Sequence, residues 1–168
     1  MKRWGRWIAL VVLVFGVVNL ALGITFISMG ASKQAWMKST MKEEKITLGL
    51  TDAQIAAGKV VDSMGSAQAA GDVVRGHRHN MAPTYADILG GGRYDPTNAM
   101  QASYAQAMNI ENYLYLATAS FGITYLSIGL GVGALLVGLA LIAVGYVLWR
   151  WSRRIYVEKT EAPPTAVV

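Results

Sequence analysis

The chain has 168 residues, 54% of them hydrophobic and only 15% charged, with a mean hydropathy of +0.36. Soluble domains run near a quarter charged residues, so this balance is too apolar for an ordinary one. It also excludes a disordered or nucleic-acid-binding chain, despite an isoelectric point near 9.6. The absence of cysteine excludes a disulfide scaffold, thiolate metal sites and a cysteine nucleophile.

Residues 1–6 are basic (Lys2, Arg3, Arg6), and 26 uncharged residues then precede Lys33. A further 38 uncharged residues separate Glu111 from Arg150. Each stretch exceeds the roughly 20 apolar residues that an α-helix needs to cross the hydrocarbon core. Membrane spans are therefore expected at residues 7–30 and 117–149. The first apolar run is longer than the roughly 7–15 residues of a signal-peptide core, which favours an uncleaved anchor.

Charge placement gives the orientation. The two ends carry seven basic and two acidic residues, whereas residues 31–116 carry eight of each. The positive-inside rule then puts residues 1–6 and 150–168 in the cytoplasm and residues 31–116 outside, in a multi-pass protein of the plasma membrane. Lys33, Lys38, Lys42 and Lys45 follow the first span and weigh the other way. Trp4, Trp7, Trp149 and Trp151 form an aromatic belt at the cytoplasmic interface.

Small residues recur every seven positions: Ala9, Gly16, Gly23 and Gly30 in the first span, and Gly131, Gly138 and Gly145 in the second, with Thr124 one step earlier. A period of seven holds them on one stripe of each helix, where small side chains permit close backbone approach. Antiparallel pairing sets Ala9 against Gly145, Gly16 against Gly138, Gly23 against Gly131 and Gly30 against Thr124. Gly129-x-x-x-Gly133, on a different face, has the form of a dimerisation motif. Asn19, the one strongly polar side chain within the first span, is expected to bond a neighbouring helix.

In the connection, the first helix is expected to run on to about Lys45. Thr51 with Gln54 reads as a capping box for a short helix ended by Gly58. Residues 59–62 read as extended, and Ser66 as the cap of a helix that stops before Pro83. One more turn at residues 84–89 is stopped by Gly90, Gly91 and Gly92. Asp95-Pro96 is the start signal of a helix running to about Tyr156, a rod of about 90 Å at 1.5 Å per residue. The register would set Met41 near Tyr113, Ile46 near Met108 and Leu50 near Tyr104. Residues 160–168 read as a disordered tail. The fold class is thus an all-α membrane protein. Its antiparallel two-helix transmembrane hairpin extends as an extracytoplasmic helical stalk, carrying a small helical cap that is too poor in apolar residues to stand alone.

The densest polar cluster is Asp72, Arg75, His77, Arg78 and His79, with Arg93 further on. On a helix His77 and His79 point about 200° apart and cannot easily share a metal. The cluster reads instead as a polar helix end that complements the dipole, open to contact with a ligand or partner. Gly90-Gly91-Gly92-Arg93 lacks the strand, Lys and Ser/Thr of a phosphate loop, and no serine sits in a G-x-S-x-G elbow. Glu111, with Asn109 and Asn112, reads as the outer end of the second span. Neither span core holds an ionisable residue, which argues against a pump, proton relay or voltage sensor.

The segments KEEKITL (42–48), AGKVVD (57–62), AQAAGDVVRGHRHNMAPTYADI (67–88) and DPTNAM (95–100) resemble, in order and spacing, a group of small two-span actinobacterial membrane proteins of unassigned function. Members often carry a label as aromatic-ring-opening dioxygenases. Ring-opening iron chemistry needs two histidines and a carboxylate on one face and a closed pocket. His77 and His79 do not supply that, so the resemblance implies topology and carries over no catalytic residue. The expected function is non-catalytic, without cofactor or metal: an accessory or assembly subunit, or a scaffold, of a cell-envelope or respiratory complex. Its partners would be the lipid bilayer and other membrane subunits or itself, with no nucleic acid. The alternative is a receptor-like module whose outer segment binds a small ligand or envelope component through the polar cluster.

Overall fold

In the computed structural model the backbone of residues 2–160 and the side chains of residues 4–153 are described. The tail reading and the side chains of Lys2, Arg3, Arg154 and Lys159 fall outside them. The described residues form five helices and no strand: α1 (Lys2–Glu43), α2 (Asp52–Ala56), α3 (Met64–Met81), α4 (Tyr85–Leu89) and α5 (Ala99–Thr160). Neither α1 nor α5 contains a proline, so nothing removes a backbone donor along 42 and 62 residues respectively. The chain falls into two compact units, residues 1–29 with 127–168, and residues 30–126.

The first unit is a helix pair built on glycine. A β-carbon placed on Gly16 would lie 3.0 Å from the carbonyl oxygen of Gly138, and one on Gly23 would lie 2.7 Å from that of Gly131. One on Gly145 would lie 2.8 Å from Cγ of Leu13. Partners on α5 fall in number as those on α1 rise, so the helices run in opposite directions. Their backbones approach so closely that the neighbouring chain occupies the space a side chain would need. Ala9, Gly16, Gly23, Gly131, Gly138 and Gly145 are all buried. Ser127 adds one polar link, its hydroxyl donating to the carbonyl of Phe26 at 3.1 Å. Asn19 does not reach across; its amide donates to Phe15 of its own helix at 2.9 Å, because an i−4 carbonyl lies within easy reach. A β-carbon on Gly129 or Gly133 would meet nothing within 4 Å.

The second unit has its core under α3. Ala67, Ala70, Gly71 and Val74 are buried at the i, i+3, i+4, i+7 spacing of one helix face. Ala67, Ala70 and Val74 form the apolar cluster with Val61 and Leu114, joined by Met41, Ile46 and Leu48 from the end of α1 and beyond, and by Ala107 and Ala117 of α5. Gly49 has φ +75°, and a β-carbon there would lie 2.8 Å from the backbone of Ala69 and Ala70. Both the left-handed turn and the close approach therefore demand glycine.

Caps set the boundaries, and two differ from expectation. Thr51 and Gln54 form the capping box of α2. In α3 the cap is Ser63, not Ser66: Ser66 is the third helical residue, and its hydroxyl accepts from the backbone N–H of Ser63 at 3.0 Å. Two serines thus make a reciprocal box in which the second reaches back. In α5 the cap is Asn98, whose Oδ1 accepts from the N–H of Met100 and Gln101. Asp95 instead nucleates the preceding turn, accepting from the hydroxyl and N–H of Thr97 at 2.6 and 2.9 Å. Those two bonds, the hydroxyl first, hold its carboxyl below the usual carboxylate range. The turn gains from the ionised form above the ordinary carboxyl value and loses that gain as pH falls through the depressed one.

Gly138→Leu, which must displace the backbone of Gly16 and Leu20, should destabilise the helix pair by about 1–3 kcal/mol. Gly129→Leu, in open space, should stay within about 0.5 kcal/mol. Unfolding midpoints in a titration with sodium dodecyl sulfate measure both; equal losses would refute glycine packing as the cause.

Candidate functional site

The polar cluster of α3 divides into an inner and an outer part. Arg78 turns inward. Its Nε donates to Oε2 of Glu111 at 2.7 Å and its Nη2 to Oε1 at 3.4 Å, a forked contact between side chains only 13% and 9% exposed. Nη1 donates to the hydroxyl of Tyr104, a residue wholly buried, and the guanidinium also lies 5.1 Å from the Tyr104 ring centroid. Tyr85 covers the other aromatic contact, its ring centroid 6.1 Å from that of Tyr104. Glu111 raises the Arg78 pKa above its ordinary value, against the opposing pull of burial. Glu111 is the buried counter-ion of the second unit, because a carboxylate removed from water needs a cation held in register.

Asp72 is exposed but engaged: it accepts from the Tyr115 hydroxyl at 2.8 Å and from the Gln68 amide at 3.2 Å. The Tyr115 phenol is held above its ordinary value, first by burial and then by Asp72, while a hydrogen bond from Arg75 acts in the opposite sense. The neutral phenol is thus favoured by folding, a gain present below the ordinary phenol value and lost as pH rises through the elevated one. Gly71 permits this contact, since a β-carbon there would lie 2.8 Å from Cε1 of Tyr115.

His77 and His79 are exposed, both within α3 and hence on different faces of it. Arg93 is exposed in the segment between α4 and α5, and no hydrogen bond or ion pair among the described residues joins it to the cluster. Among the described residues no three His, Asp or Glu side chains gather as a metal site would require. The structure thus brings together Arg78 with Glu111 and Tyr104, and Asp72 with Tyr115. It leaves the two histidines facing solvent. Glu111 was the missed residue, and its signal was available: it is the one charge on α5 before Arg150, and an isolated carboxylate on a long apolar helix calls for a distant cation.

The chain matches no protein-family model, no curated protein and no solved structure.

Glu111→Leu should cost about 3–5 kcal/mol by stranding the Arg78 charge, and Arg78→Met combined with Glu111→Leu should recover most of that loss. Guanidinium denaturation of the full chain in detergent, followed by near-ultraviolet circular dichroism, measures both. A double variant no better than the single one would show that the pair itself is not what the core needs.

Proposed function

We propose that the chain is a non-catalytic, multi-pass protein of the cell membrane that serves as a scaffold or as an accessory or assembly subunit of a larger envelope or respiratory complex. One observation carries the reading. α1 and α5 are long and apolar enough to cross a bilayer, and only 11% and 17% of their most hydrophobic windows are buried. The core helix of a soluble protein would be mostly covered. Here Val14, Phe15, Val17, Leu136, Leu139 and others stand open, more apolar surface than water tolerates without a lipid or protein partner. In this reading the first unit is a transmembrane hairpin and residues 31–116 form an extracytoplasmic stalk and cap. The excess of positive charge at both ends supports placing those ends in the cytoplasm. Exposed Trp4, Trp7, Trp149 and Trp151 suit a headgroup interface, with the Arg153 guanidinium 4.6 Å from the Trp149 ring centroid. The resemblance to the small actinobacterial group supports the same topology. Inward use of Arg78, together with a small core of valine, alanine and leucine, suits a unit that holds its shape for a partner rather than one that encloses a substrate.

The chain has no cysteine, so single-cysteine variants report topology directly. In intact cells a membrane-impermeant maleimide should label Asn80→Cys and should label Arg153→Cys only after permeabilisation. The reverse pattern would overturn the orientation, and equal labelling of both sites would overturn the two-span reading. Affinity purification from mild detergent with mass spectrometry should return stoichiometric membrane subunits. Recovery of the chain alone would remove the accessory role.

A further inference from the structure

Away from the polar cluster of α3, the second unit holds a cleft of about 780 Å³ between the end of α1, the loop after it, α2 and the start of α3. Three cations, Lys42, Lys45 and Lys59, line it against one carboxylate, Asp62. Lys42 meets Asp62 at 3.3 Å, and Lys45 and Lys59 enter no ion pair among the described residues. Glu43 and Glu44 adjoin Lys42 and Lys45 in the chain, and Asp52 stands midway between Lys45 and Lys59, but none of the three lines the cleft. The lining therefore carries two unneutralised ammonium groups.

Three further features bear on what would enter. Ser63 and Ser66, the cap and third residue of the 18-residue α3, lie in the wall, which brings the positive end of that helix to the same space. Leu50, Ile55 and Val60 supply an apolar strip beside the cations. The chain reaches the cleft from α1 through Lys45 at φ +51°, a left-handed conformation that side-chain-bearing residues seldom adopt, so a charge stands where glycine would be the easier choice. The volume is that of a site for a small organic molecule.

We infer that this cleft binds a phosphoryl-bearing anion, with Lys45 and Lys59 taking the phosphate oxygens and Leu50, Ile55 and Val60 the carbon skeleton. Compact ammonium charges suit phosphate as point charges, and the positive end of the α3 dipole adds to the same field. A phosphate on a lipid headgroup and a phosphate free in solution offer the same chemistry. The inference goes beyond the scaffold reading and does not depend on it.

The test uses the full chain in dodecyl maltoside, followed by ³¹P nuclear magnetic resonance. One arm adds inorganic phosphate, the other phosphatidylglycerol in mixed micelles. A saturable shift is expected, and Lys45→Gln with Lys59→Gln should weaken it by about tenfold or more. Arg93→Gln, an exposed cation outside the cleft, should leave it unchanged. All the substituted side chains are exposed, and an unchanged near-ultraviolet circular dichroism spectrum confirms that the fold persists. Saturation by inorganic phosphate assigns a soluble source, saturation by phosphatidylglycerol alone assigns a lipid headgroup, and both together show that the phosphoryl group suffices. No saturable response in either arm, or equal losses in the lysine and Arg93 variants, overturns the inference.

Discussion

Close approach of backbones is the constraint on which both units depend. In the first, glycines on α1 and α5 meet so tightly that each occupies the place of the other's missing side chain. In the second, Gly49 faces the backbone of α3, and Gly71 faces the ring of Tyr115. Such contacts gain dispersion energy from many atom pairs at short range. The gain vanishes as soon as a methyl group intrudes.

A core of small residues has a corollary in the second unit. Ala67, Ala70, Gly71, Val61 and Val74 bury little apolar area each, and the larger buried side chains, Tyr104, Leu114 and Phe121, all stand on α5. Specificity then falls to directional contacts. The forked Arg78–Glu111 pair and the Tyr115–Asp72 bond fix α3 on α5 in one register, because neither geometry survives a shift by one helical turn. The reciprocal caps at Thr51 and Ser63 do the same locally, ending each short element without help from distant contacts.

Much of this was legible from the residues. Period seven in the glycines pointed to the faces that pack, and the Thr51–Gln54 box and the stop at Gly90 followed from local chemistry. The errors were of two kinds. Start signals compete when several stand within a few residues: Asp95 lost to Asn98, and Ser66 to Ser63, because a side chain can serve a turn or the third helical position as readily as a cap. Within α3 alone the polar cluster has the pattern of a surface, because its counter-ion lies 33 positions away on another helix. Pattern within a window does not see that pairing; an uncompensated charge on α5 does. The lysine cleft was equally hidden, since Lys42, Lys45 and Lys59 are separated by a turn and a short helix.

The two units differ in how the ribosome meets them. Residues 30–126 are consecutive, whereas the first unit joins residues 1–29 to a partner that begins at residue 127. At a synthesis rate of roughly 5–20 residues per second, the chain between Gly23 and Gly131 takes about 5–20 s to emerge. Throughout that interval the glycine face of α1 has been made and its mate has not. The second unit has every residue it needs before the first can close. A chain truncated before residue 127 would retain the whole second unit while leaving α1 permanently unmatched, a species open to capture by chaperones or by the glycine face of another nascent copy.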